Sequence, residues 1–226
     1  MAARLGIKPG DLILESGRRD DADDALRKEI FTASGSEPVG EGAQEVVKAL
    51  QKRFSQVDTD PERGLDHGAW TPLRQMFPNA DIPIIAVSIQ SHAGTAHALA
   101  MGEALEELTH QGYLVIGSGN ITHNLTDWHV AASTGGKTPA YVKGFADWVE
   151  EKLKDHDVQA LIDYRNHSAE GRQAHPSEDH LLPLLVALGA AGNEAQAQAF
   201  YRGVSDYVIS MDGYAFLHRS EEHTSE

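Results

Sequence analysis

Apolar residues along this chain recur with two different periods. The apolar run at 82–89 (IPIIAVSI) reads as a buried strand, 113–116 (YLVI) as a second strand and 159–164 (QALIDY) as a third, shorter one. Between them lie stretches of helical spacing. Val46, Val47, Leu50 and Phe54 recur at that spacing, which predicts a helix over 43–54. An amphipathic helix is expected over 95–109 and another over 139–154, the latter with Pro139 in its first turn. The stretch 181–191 is apolar on all sides and reads as a buried helix that tolerates Pro183 early and ends at Gly192. Strands alternating with helices predict an α/β fold, a sandwich of helices around a largely parallel sheet. Ligands of such sheets sit beyond the carboxyl ends of strands, which directs attention to the loops after Ile89 and Ile116.

The two ends of the chain follow neither period. Residues 18–24 (RRDDADD) are a charge run, and 34–42 are rich in Gly, Ser and Glu. Segment 1–42 is therefore read as atypical, either disordered or foreign to the fold. The folded domain is expected over 43–218. Residues 219–226 (RSEEHTSE) match one reading frame of a common sequencing-adapter oligonucleotide and are read as an artefact, which removes His223 from consideration. The N-terminal oddity is given the same explanation, an incomplete or frame-shifted gene fragment.

Composition narrows the chemistry. With 19 Lys+Arg against 34 Asp+Glu, the net charge of −15 excludes a basic footprint for nucleic acid and opposes binding to an anionic membrane surface. The longest apolar run, 82–89, is too short to cross a bilayer, and no secretory leader opens the chain. A soluble, cytoplasmic protein is expected. Zero cysteines exclude disulfides, thiolate nucleophiles and Cys-ligated metals. The 12 histidines leave imidazole and carboxylate as the ligand set, which suits iron(II) or zinc.

Three histidines stand in distinctive surroundings. His67 lies in GLDHGAW (64–70), where glycines allow close backbone approach and Trp70 offers an aromatic wall. The alternative is an ordinary turn with an incidental histidine. His123 follows a strand and a Gly/Ser turn in GSGNITHNL (117–125), a position useful for acid/base chemistry or metal ligation. A merely exposed loop histidine is the competing reading. In HPSEDHLLP (175–183), His175, Glu178, Asp179 and His180 place four metal-capable side chains just before a buried helix. Helix capping by Ser177 or Asp179, with solvated histidines, would explain the same pattern. His97 and His110 share one amphipathic helix and are expected at its solvent face or edge. His92 follows a strand and could line a cleft, whereas His129, His156 and His167 lack supporting neighbours.

Taken together and in this order, GLDHGAW with the following PLR, MFP and ADIPI, then GYLVIGSGNITHNL, then HPSEDHLLPLLVALGAAG, resemble the LigB-type (class III) extradiol dioxygenases, and among them the 4,5-DOPA dioxygenase-like group. The resemblance covers about 43–218. It implies a non-haem iron(II) centre, or zinc in its place, that binds a catechol through both oxygens and uses O₂ to cleave the ring beside the hydroxyl-bearing carbons. By the same resemblance His67 is an acid/base lining the site, and His123 is an acid/base or a neighbour of the metal. His180 is the metal ligand from the C-terminal half, with Glu178 as the carboxylate alternative. The family also carries two metal-binding histidines upstream, whereas this chain has no histidine before His67. The family's first strand is likewise expected to be missing.

The leading expectation is thus an oxidoreductase that opens a catechol ring with O₂. A hydrolase using the same side chains to activate water on a metal, or a non-catalytic remnant of the fold, would account for the same residues.

Overall fold

The computed structural model describes residues 13–15, 41–60 and 63–218. The described chain divides into two compact units, 1–119 with 178–190 and 120–177 with 191–226.

The first unit is built on three short parallel strands, β1 (Ile13–Glu15), β2 (Ala86–Ser88) and β3 (Ile116–Gly117), in the order β2-β1-β3. Ile13 pairs with Ala86 on one side and Ile116 on the other. A strand therefore does occupy the N-terminal segment, at the centre of this sheet, and the expectation that the first strand is missing is corrected. The charge run at 18–24 and the Gly/Ser/Glu-rich stretch up to residue 40 lie outside the described residues, as does 219–226.

Helices around this sheet follow the apolar spacing. In α1 (Glu41–Gln51) the buried Val46, Ala49 and Leu50 share one face, and the helix lies against α3 (Gly94–His110). Ion pairs Lys52–Glu107 and Arg53–Glu103 flank that contact. α2 (His67–Met76) buries Ala69 and Leu73, which join Leu65 and Phe77 in a small core against Ile82, Ile84 and Ile116. α9 (Leu182–Ala191) is apolar on every side and mostly buried, as its composition predicts. It passes α3 at backbone contact: a Cβ added to Gly102 would lie 2.1 Å from the Val186 carbonyl oxygen, and one on Gly189 2.4 Å from that of Leu99. The left-handed Gly192 (φ +72°) follows it, where the sequence placed the stop.

In the second unit, α4 (Leu125–Thr134) ends at the left-handed Gly135. Helix α5 (Ala140–Lys154) buries Tyr141, Val142, Phe145, Val149 and Leu153. Pro139 sits at its N-cap rather than inside the first turn. Three short helices follow, α6 (Val158–Ile162), α7 (Tyr164–His167) and α8 (Gly171–Ala174). The strand expected over 159–164 is thus helical. Asp157 accepts from the Ala160 N–H as a cap, and the buried Ala160, Leu161 and Tyr164 have the spacing of a helix face, not of alternating strand positions. Strand β4 (Gln196–Tyr201) pairs antiparallel with β7 (Gly213–Leu217), and β5 (Val204–Ser205) with β6 (Ile209–Ser210). The parallel sheet of the expected sandwich belongs to the first unit, and the second adds antiparallel ribbons. Arg202, between β4 and β5, joins these ribbons to α5 through Asp147, Glu150 and Asp212. Among the described residues no helix is long and apolar enough to cross a membrane.

Candidate functional site

His67 opens α2. The buried Asp66 is the N-cap, its carboxylate accepting from the Ala69 N–H at 3.2 Å, so the helix start fixes the His67 backbone while the side chain stays exposed. One residue on, the Gly68 carbonyl accepts a 2.6 Å hydrogen bond from the Ser118 hydroxyl. Ser118 belongs to the turn at the carboxyl end of β3, the place where the sequence pattern located ligand loops.

The same turn seats His180. A Cβ on Gly119 would meet the His180 carbonyl oxygen at 2.3 Å, and one on Gly117 would meet that of Pro183 at 2.2 Å, so side chains are excluded at both positions. The half-buried His180 ring has Nδ1 2.8 Å from a carboxylate oxygen of Asp179. The Asp179 carboxylate thus lies at ion-pair distance from one ring nitrogen. The Glu178 carbonyl accepts from the N–H groups of Leu181 and Leu182 and starts the turn into α9. Its carboxylate lies 3.9 Å from the Cβ position of Gly94, at the start of α3.

In the second unit His123 sits between two buried clamps. Thr122 on one side donates to the Val208 carbonyl (2.8 Å) and accepts from the Ser210 N–H (2.7 Å). Asn124 on the other accepts from Asp127 N–H as the cap of α4 and donates to the Gln173 carbonyl (2.8 Å). The His123 N–H itself donates to the Ala174 carbonyl at 2.9 Å, and its ring is half-buried. Neither clamp residue was marked by the sequence pattern. The signal was their position flanking the histidine, with Asn124 a favoured helix-cap residue.

The four-residue cluster expected in HPSEDH is dispersed. His175 is wholly buried in the second unit, with Nε2 2.8 Å from the Ile121 carbonyl oxygen and its ring edge-on to Phe145 and Tyr164. A ring enclosed in this way is a core residue, so His175 is withdrawn from the ligand candidates. Glu178, Asp179 and His180 fall in the first unit.

A family model described as the catalytic LigB subunit of aromatic ring-opening dioxygenase matches residues 10–216. The chain belongs to the LigB family. Extradiol opening of an aromatic ring, the oxidoreductase activity expected from the three motifs, is the activity of this family. The chain is 34% identical over 186 residues to the 4,5-DOPA dioxygenase extradiol of Beta vulgaris, covering 82% of this chain and 68% of that protein. It is 33% identical to the Escherichia coli K12 4,5-DOPA dioxygenase extradiol, covering 83% and 68%. The crystal structure of an uncharacterized Escherichia coli K12 protein, JW3007, superposes with a TM-score of 0.75 at 28% identity over 94% of this chain and 89% of that one. The LigB match begins before β1, in keeping with that strand's central place in the sheet.

LigB proteins generally use a metal. Among the described residues no three His, Cys, Asp or Glu side chains converge so as to hold an ion. Of the residues expected beside a metal, His180 and Glu178 belong to the first unit and His123 to the second. The described LigB residues do not fit a three-ligand centre.

Proposed function

We propose that this LigB chain derives from an enzyme that opens a catechol ring of the DOPA type with O₂. The overall reaction breaks the carbon–carbon bond beside the two hydroxyl-bearing carbons and places both oxygen atoms in the product. The observation that carries this reading is the turn 117–119: His67 and His180, named by the family motifs, both stem from backbone held against it. The identity to proteins named 4,5-DOPA dioxygenase extradiol supports the choice of a DOPA-like substrate. We assign iron(II), or zinc in its place, as the ion of an active member. His180 is the residue of this chain assigned to it, with Asp179 orienting the ring, and Glu178 is the carboxylate alternative.

His67, exposed at the first position of α2, takes or gives a proton at a catechol hydroxyl. His123, its backbone held by Thr122, Asn124 and the Ala174 carbonyl, is the second proton carrier or a neighbour of the ion. Small molecules, a catechol and O₂, are the partners. The acidic charge argues against nucleic acid and membrane surfaces, and the cysteine-free composition accords with the cytoplasm.

The test is O₂ uptake, in excess iron(II) and with DOPA as substrate, by a chimera in which a LigB-family N-terminal segment supplies the two upstream histidines. Uptake that requires the catechol, with a product mass equal to DOPA plus both oxygen atoms, is expected. Ester hydrolysis without O₂ would favour the hydrolase reading, and no turnover at saturating iron a non-catalytic one.

A further inference from the structure

The helix α2 contains Pro72. Proline has no N–H, so the carbonyl four residues earlier loses its helical donor. That carbonyl is Gly68, the one that accepts from the Ser118 hydroxyl at 2.6 Å. An acceptor stranded by Pro72 is thus satisfied from the turn after β3, and the satisfied group is adjacent to His67. The glycines on either side of Ser118 are packed against the His180 and Pro183 carbonyls with no room for a Cβ. The turn therefore cannot drift away from either histidine segment without breaking a contact.

We propose that Ser118 is a positioning residue for ring cleavage: its hydroxyl replaces the helix donor that Pro72 lacks and fixes the His67 end of α2 to the turn that seats His180. The catalytic meaning of this coupling rests on the assignment of His67 as a proton carrier. The coupling itself does not, because it is a relation among Pro72, Gly68 and Ser118 alone.

Two measurements on the full chain test it, amide hydrogen exchange in the first turn of α2 and the chemical shifts of the His67 imidazole followed by NMR. Ser118→Ala should speed exchange at Trp70, whose N–H bonds to the Asp66 carbonyl, by about fivefold, the scale of one net hydrogen bond. It should also move the His67 imidazole resonances while leaving those of His123 in place. Ser118→Thr keeps the hydroxyl and should restore both. The decisive variant is Pro72→Ala, which returns an N–H to the helix: in that background Ser118→Ala should have little effect on either reading. Equal effects of Ser118→Ala with and without Pro72, or no effect in either, would overturn the proposal. If His67→Ala left ring cleavage intact while these couplings held, the proton-carrier assignment would fail and the positioning of α2 would stand.

Discussion

The Nε2 atom of the buried His175 lies 2.8 Å from the Ile121 carbonyl oxygen, and the neighbouring Ala174 carbonyl accepts from the His123 N–H at 2.9 Å. These two bonds tie the 121–123 segment to the end of α8. Because a carbonyl only accepts, Nε2 is the protonated nitrogen of His175.

Replacing His175 should therefore be costly in proportion to what is removed. His175→Phe keeps much of the volume but leaves the Ile121 carbonyl unbonded, a loss of about 1–3 kcal/mol. His175→Ala adds a cavity and should cost about 3–5 kcal/mol, as for other large-to-small core changes. Urea unfolding measures both, and a loss below about 1 kcal/mol for the alanine variant would show that the ring is not a core element.

The crossing of α3 and α9 gives a second stability prediction. Gly189→Ala places a methyl 2.4 Å from the Leu99 carbonyl oxygen, and backbone cannot yield as a flexible side chain would. Overpacking of this kind costs about 1–3 kcal/mol. Since α9 follows directly on His180, the variant should also broaden the His180 imidazole resonance. An unchanged melting temperature would place the two helices farther apart.

Alkaline titration probes two tyrosines. Burial, and next the hydrogen bond to Glu45, push the Tyr113 phenol up to about 12. Burial, and next the charge of Asp212, push Tyr214 up to about 12. Both folded values exceed the ordinary value of 10.0, so their contribution to stability is complete below that value and is lost as pH rises from there through about 12. Phenolate absorbance should thus show late-titrating tyrosines, and Tyr113→Phe should remove one of them. Simultaneous titration of all tyrosines near the ordinary value would contradict this.

How far the fold could be read from sequence depended on element length. Helices α3 and α9 emerged within a residue or two of their ends, because ten or more residues display a full apolar face or none at all. Strand β1 has three residues, too few for any period to register. The apolar run 82–89 contracted to Ala86–Ser88, with only Val87 of the strand buried, because Pro83 lacks a ladder donor and Ile84 packs with α2 instead. At 159–164 the strand expectation failed because only Ala160, Leu161 and Ile162 are consecutive apolar residues, too few to separate strand from helix, and the Asp157 cap starts a helix there. His67, His123 and His180 were marked by their neighbours along the chain. What holds them was not, since Ser118 and Gly68, or Thr122 and Val208, are far apart in sequence and meet only through the fold. His175 shows the converse: its proximity to His180 in sequence suggested a shared site, and the fold sends it into a different core.

Metal retention provides a further check. No histidine precedes His67, and no three-ligand group exists among the described residues. Iron(II) loaded anaerobically should therefore be lost on desalting, leaving substoichiometric metal by elemental analysis. One tightly held iron per chain would mean that the ligands lie elsewhere than assigned.

In the proposed reaction His67 and His123 move protons while His180 serves the metal. Its most direct test is a chimera in which a LigB-family N-terminal segment supplies the two upstream histidines, with catechol-dependent O₂ uptake and iron content measured on the same samples. His180→Ala should lose iron and activity together. His67→Ala and His123→Ala should keep most of their iron while the rate falls roughly 10²–10⁴-fold, the usual scale for removing a general acid or base. Loss of iron in step with activity in His123→Ala would move that residue to the ligand set. Full activity in both the His67→Ala and His123→Ala chimeras would show that neither imidazole moves a proton in ring cleavage.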